Sequence, residues 1–353
     1  LSAIFGYINA RFLKLPNSIG LMLITIVFTL VVFGIGYVDD TLINAERYII
    51  DQIDFKSVLL DIMLSFLLFA GALHTNFEQL KVQRWPILVF STLGVLVSTF
   101  LVGTSMFYLL QLFNDGVGVV VFLTIFQLAS AGEAVVGPLE ILELFGVEVI
   151  GGLALGLGLG WGTYKLMRSI DDYDIEVIIT LATVMVGTLI AQKFHLSAPL
   201  AMVAAGLVVG NDTVRNSAMS ETTEVYVDKF WELLDILLNT LLFVLIGMEM
   251  LVLSFKTEYI IAGLLAIPLV LICRYLSLLL PIKFFEKRLD FVPRTNLVMT
   301  WGGLRGGISI ALALGLSNDM HRDVFLVITY IVVVFSIIGQ GLTVEKLIKR
   351  VVQ

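Results

Sequence analysis

The stretch Leu112–Phe122, LFNDGVGVVVF, sets Asn114 and Asp115 inside one long hydrophobic run that extends from Trp85 to Ala129. About 20 apolar residues are enough for a helix to cross a bilayer, so a run of this length reads as membrane-embedded chain. An ionised carboxylate at the middle of a bilayer costs about 2.5–3.5 kcal/mol on insertion scales. Such a group usually faces the protein interior or a water-filled cavity, where it holds an ion or a proton. Asp115 is therefore the first candidate ion- or proton-binding residue, and Asn114 a candidate neutral oxygen ligand beside it.

Working outward, composition agrees. The chain of 353 residues is 58% hydrophobic and 14% charged, and its mean hydropathy is +0.99. That excludes an ordinary soluble globule. The apolar runs are continuous and rich in Leu, Ile, Val and Gly, unlike the alternating strands of an outer-membrane barrel. The expected fold is all-α and polytopic, in a single transmembrane domain over residues 1–353. It reads as about 11 full spans plus a partial N-terminal one. In order these are Ile19–Ile35, Val58–Leu80, Trp85–Gln111, Leu112–Ala129, Val149–Leu166, Ile175–Ala191, Leu196–Gly210, Phe230–Val252, Ile260–Ile282, Asn296–Leu316 and Val324–Leu342. The segment Leu1–Ala10 reads as the end of a further helix. One cysteine, Cys273, rules out an internal disulfide framework. His74, His195 and His321 have no metal-ligand spacing and read as interfacial or packing residues. No enzyme constellation and no cofactor motif emerges. The run Gly156, Gly158, Gly160, Gly162 mimics a dinucleotide fingerprint, but it lies within a membrane run and reads as helix packing. The bilayer is the expected partner, and nucleic acid is not.

Lys and Arg placement orients the bundle. Lys346, Lys349 and Arg350 put the C-terminus in the cytoplasm. Walking back, the connections with Lys283, Lys287, Arg288 and Arg294, then Arg215 and Lys229, then Lys165 and Arg168 fall on the same side. From the other end, Arg11, Lys14, Lys81 and Arg84 are cytoplasmic, and the acidic loop Asp39–Asp54 is external. The two halves do not join. The Trp85 span must end outside, and the Leu112 span must also run outward, because Ser130–Glu148 holds four glutamates and no cation. Either an inward span is missing near Gln111, or Asn114-Asp115-Gly116 is a hairpin turn and the charges of the C-terminal half are inverted.

Three motifs together resemble the NhaP-type branch of the cation:proton antiporter superfamily. They are LFNDGVGVVVF, WGGLRGGISIALAL (Trp301–Leu314), and SIDDYDIEVIITLATVMVG (Ser169–Gly187) with HLSAPLAMVAAGLVVGN. The resemblance implies an inverted-repeat antiporter bundle in the bacterial inner (plasma) membrane. It also implies exchange of sodium or potassium for protons, and a homodimer. Members usually carry Thr-Asp-Pro on an unwound helix just before the Asn-Asp helix, and no Thr-Asp-Pro occurs here. They also tend to read Glu-Ser-Leu-Phe-Asn-Asp, where this chain has Leu110 and Gln111 at the first two positions. The family comparison therefore places an internal deletion near residues 110–113, where the charge walk needs one.

Asp115 can hold either a cation, with Na+ as the bound metal ion, or a proton, and competition for one carboxylate suffices for exchange. The plain alternatives are an interhelical hydrogen bond or the hairpin turn. Arg305, inside WGGLRGG, is the charge-compensating candidate; an architectural bridge is the other reading. Its glycines permit a close helix approach or a local break lining a cavity. The resemblance pairs Arg305 with the glutamate that is Leu110 here, which leaves it Asp115, Asp61, Glu249 or water as a partner. Glu232, Asp235 and Asn239 share a helix face and read as the rim of a solvated funnel. Arg274 reads as half of a structural pair. A non-transporting remnant of such an antiporter is the alternative to transport.

Overall fold

The computed structural model describes residues 2–36, 58, 62–75, 77–111, 138–252, 256–286, 291–303, 306–314, 316 and 322–352. In chain order the helices are α1 (Ser2–Ile8), α2 (Asn17–Gly36), α3 (Leu64–Leu73), α4 (Phe77–Val82), α5 (Arg84–Val89), α6 (Val95–Gln111), α7 (Pro138–Met167) and α8 (Tyr173–Lys193). They continue as α9 (Ala198–Val209), α10 (Asp212–Ala218), α11 (Glu221–Val252), α12 (Thr257–Phe285), α13 (Thr295–Trp301), α14 (Gly307–Leu314), α15 (Arg322–Val334) and α16 (Gly341–Val352). No strand occurs among the described residues. Six helical stretches there are long and apolar enough to cross a membrane. The all-α membrane reading holds.

Most boundaries follow local chemistry. Asp172 caps α8, its carboxylate accepting from the backbone N–H groups of Asp174 and Ile175. Ser197 caps α9, with Pro199 in the first turn where a missing N–H is harmless. Asn211 caps α10 in the same way. Wide helical turns at Phe90–Gly94 and Phe335–Gln340 join α5 to α6 and α15 to α16. The expected span Asn296–Leu316 is in fact two short helices, α13 and α14, which end and restart around the Gly302–Gly303 and Gly306–Gly307 pairs. That is the local break the glycines allowed. The expected span Val58–Leu80 is divided by a turn at His74 and Thr75.

The chain forms two compact units. The first comprises Leu1–Gln52, Gln83–Ser130 and Phe243–Gln353, and the second Ile53–Val82 and Ala131–Leu242. In the second unit α9 is the centre. A Cβ at Gly156 would run into the Ala201 carbonyl, one at Gly160 would meet Val208, and one at Gly152 the Ser197 carbonyl at 2.8 Å. Spaced by four, these glycines form the face of α7 that lets α9 approach backbone to backbone. Gly158 and Gly162 meet nothing and lie off that face. On the other side of α9, Gly206 and Gly210 sit against the Phe69 and Leu73 carbonyls of α3. Phe69, Met202, Val184 and Trp231 fill the remaining core. In the first unit α12 packs on α6 and α15, with Ala262, Ala266, Val324 and Ile328 at the contact. The stretch Arg84–Met106 is the least covered candidate span: 6% of its apolar window is buried, against 22–44% for the others.

Candidate functional site

Asn114, Asp115 and Arg305 lie outside the described residues, as do Asp61 and the Glu249 side chain. What the structure shows is the polar framework within each unit.

In the second unit a groove of about 580 Å³ is lined by Ala70, Gly71 and His74 on one side and by Val225, Asp228, Lys229, Glu232 and Asp235 of α11 on the other. The sequence placed Glu232, Asp235 and Asn239 on one helix face, and two of the three line this groove. Asn239 Nδ2 donates to Asp235 Oδ1 at 3.0 Å, and Lys229 pairs with Glu232 at 2.7 Å. The groove carries three acidic side chains, Asp228, Glu232 and Asp235, on its α11 side.

One of its lining residues, Asp228, is held by Arg215, which the sequence presented only as a topology charge. The side chain is nearly buried, yet Nη1 and Nη2 reach both Asp228 oxygens at 3.0 and 2.6 Å. Nη1 also reaches Glu224 at 3.0 Å, and Nη2 reaches the Leu73 carbonyl at 3.4 Å. Burial works against the positive charge, but the hydrogen bonds and charges of Asp228 and Glu224 outweigh it. Together they hold the guanidinium above its ordinary range. The planar fork ties the C-terminal end of α3 to α10 and α11. His74 approaches the same carboxylate, its Nε2 3.7 Å from Asp228 Oδ1.

Deeper in this unit, Glu176 is fully buried. Its Oε1 accepts from Thr223 Oγ1 at 3.4 Å, while Oε2 has no hydrogen-bond partner. Trp231 Nε1 donates to Thr180 Oγ1 one turn away. Nothing in the sequence pattern distinguished Glu176 from a solvated helix-start acid.

In the first unit the interruption between α13 and α14 is occupied by Arg274 of α12. Its guanidinium fills the space where a Gly303 Cβ would stand, and Nε reaches the Met299 carbonyl at 3.4 Å. The carbonyls at the end of α13 have lost their helical donors, so a cation there both caps them and offsets the helix dipole. Gln340 Nε2 donates to the Trp301 carbonyl at 2.9 Å, completing the cap. A side chain at 303 would displace the arginine from this position.

A membrane-helix bundle is what the sequence resemblance implies, and the comparisons decide the family. The profile described as sodium/hydrogen exchanger, transmembrane, matches residues 1–112 and 110–350. The chain belongs to the sodium/hydrogen exchanger family. Among relatives, it is 38% identical to the Na(+)/H(+) antiporter NhaP of Pseudomonas aeruginosa over 403 aligned positions, covering 99% of this chain and 95% of the relative. It is 30% identical to the Na(+)/H(+) antiporter NhaH of Halobacillus dabanensis, covering 97% and 93%. The fold matches the sodium proton antiporter MjNhaP1 from Methanocaldococcus jannaschii with a TM-score of 0.69 at 16% identity, covering 99% of this chain and 96% of that one. This exchanger-family chain therefore shares the architecture of a solved antiporter.

Proposed function

We propose that this family member exchanges sodium for protons across a membrane by alternating access, with the two cations competing for Asp115. The observation that carries the reading is the near full-length similarity to proteins named Na(+)/H(+) antiporters. Asn114 supplies a neutral oxygen ligand, and Arg305 compensates charge between α13 and α14. Helix breaks of this kind line the ion sites of midplane transporters. The groove of Asp228, Glu232 and Asp235 serves as the cytoplasmic entrance, on the side that the Lys and Arg count assigns to the C-terminus. Sodium rather than potassium is proposed because sodium is the ion in the relatives' names. The membrane is the bacterial inner membrane.

The test is proton flux in proteoliposomes on adding sodium. Antiport requires a sodium-dependent pH change that disappears in Asp115→Ala. A parent chain without flux rejects transport by this chain as it stands.

A second reading is supported by a specific discontinuity: a non-transporting remnant that lacks one helix between Gln111 and Leu112. The family profile matches in two pieces that meet at residues 110–112. The alignment with the Pseudomonas relative is longer than this chain, so part of that relative has no counterpart here. Inserting the relative's unmatched segment after Gln111 separates the two readings. Flux that appears only after insertion establishes the remnant, and flux in the parent that is unchanged by insertion removes it. Topology reporters fused after Glu133 and Lys165 report the same event. An external Glu133 with a cytoplasmic Lys165 fits a lost span, whereas a cytoplasmic Glu133 fits the hairpin.

A further inference from the structure

One residue at the helix break of the first unit is gripped by a single neighbouring segment. Trp301 ends α13. Its carbonyl accepts from Gln340 Nε2 at 2.9 Å, and its indole Nε1 donates to Thr343 Oγ1 at 2.8 Å. The Phe335 ring meets the indole edge to face, with centroids 6.3 Å apart. All three partners belong to the wide turn Phe335–Gln340 or to the start of α16.

The wide turn aims these side chains. The Gly341 N–H bonds back to the Ser336 carbonyl, five residues earlier, where a regular helix reaches back four. One extra residue in the turn rotates everything after it by about 100° relative to α15. Without that residue Gln340 and Thr343 would turn away from Trp301. Wide turns of this kind recur at functional sites.

Of the three contacts, the one on the carbonyl bears on the break. A helix leaves its last four carbonyls without donors of its own. In α13 the Val298 carbonyl takes the Gly302 N–H at 2.8 Å, Met299 takes Arg274 Nε at 3.4 Å, and Trp301 takes Gln340. A carbonyl oxygen only accepts, so the amide nitrogen of Gln340 is the atom that faces it. Gln340 is 3% exposed, which keeps solvent from competing for the bond. Its donor is spent on the last helical residue before the Gly302–Gly303 pair.

We propose that Gln340 is a positioning residue for the cation site: through the Trp301 carbonyl it fixes where α13 stops and where the oxygens at the break point. Carbonyl ends of broken helices coordinate cations in midplane transporters, so a small displacement there weakens the site without removing a ligand. The clamp on Trp301 belongs to the fold. Its bearing on sodium rests on the antiport reading above.

The test uses the full chain in lipid nanodiscs, with sodium binding read from the sodium-dependent rise of the unfolding midpoint, so no turnover is needed. Gln340→Met keeps the length and removes the donor. The expected result is a sodium half-saturation roughly three- to tenfold above the parent's, the scale of one hydrogen bond. Gln340→Asn, whose amide stops one carbon short, should fall between the two. Thr343→Val removes the contact on the indole and leaves the carbonyl, so it should lower the sodium-free midpoint without moving half-saturation. Carbon-13 spectra of carbonyl-labelled tryptophan report the clamp itself, with Trp301→Phe identifying one of the four resonances. The Trp301 carbonyl should move upfield in Gln340→Met and stay in place in Thr343→Val. An unmoved carbonyl in Gln340→Met overturns the clamp. An unchanged half-saturation in Gln340→Met, or an equal shift in Thr343→Val, overturns the positioning role while the antiport reading stands. A parent that ignores sodium rejects the antiport reading and removes the positioning role with it.

Discussion

Arg215 grips both carboxylate oxygens of Asp228, at 3.0 and 2.6 Å, from a position almost closed to water. Arg215→Ala leaves the Leu73 carbonyl and Asp228 without this donor, and should cost about 2 kcal/mol, discounted because Asp228 and Glu224 are partly exposed. Arg215→Lys keeps the charge but not the fork, and should recover less than half of that loss. Thermal unfolding of the solubilised protein measures both. The guanidinium is held above its ordinary range, so its contribution is fully present below that range and is lost only as pH rises through the folded value. Its effect should be flat through neutral and moderately alkaline pH.

The α7 glycines divide by face. Gly156→Ala drives a methyl group into the Ala201 carbonyl of α9, where backbone must move, and should destabilise by about 1–3 kcal/mol. Gly158→Ala points into open space and should be neutral or stabilising by about 0.5–1 kcal/mol, since alanine is the better helix former. A reversed order in a pair of melting curves contradicts the packing described for α7 and α9.

Gly303→Ala puts a methyl group where the Arg274 guanidinium stands. It should lower sodium-driven flux by roughly tenfold, equivalent to about 1.4 kcal/mol, by uncapping α13 at the helix break. Gly306→Ala, with nothing nearby, is the matched control. Equal flux in the two variants would separate the break from transport.

Glu176→Gln tests a buried acid with one oxygen unpartnered. If its role is structural, the neutral amide keeps the contact with Thr223 and removes the burden of the buried carboxyl, so stability should rise by about 1 kcal/mol. The readout is the unfolding midpoint. A fall shows that the carboxyl itself is needed.

Membrane spans were legible because hydropathy is a local property: α2, α8, α9 and α12 fall within a few residues of the expected segments. Hydropathy is blind where a helix leaves the bilayer. The helix expected from Phe230 begins at Glu221, because its first turns are polar yet still helical. The break in Asn296–Leu316 was foreshadowed by four glycines, but its occupant was not. Arg274 is distant in the chain, and a pair reading could not anticipate that it caps backbone carbonyls. The groove was half legible. Helical spacing put Glu232 and Asp235 on one face, whereas His74 and Arg215 reach it only through tertiary folding. Asn114, Asp115 and Arg305 lie outside the described residues, so the proposed exchange site is argued from sequence and kinship.

The glycine face of α7 has a thermodynamic consequence. Lipid tails are as apolar as leucine, so the close approach of α7 to α9 draws little from expelling water and much from dispersion between backbones. Stabilisation of that origin carries little heat-capacity change, unlike apolar burial from water. The α7–α9 pair should therefore hold with nearly constant strength from cold to warm, and set the stiffest, least temperature-sensitive part of this unit.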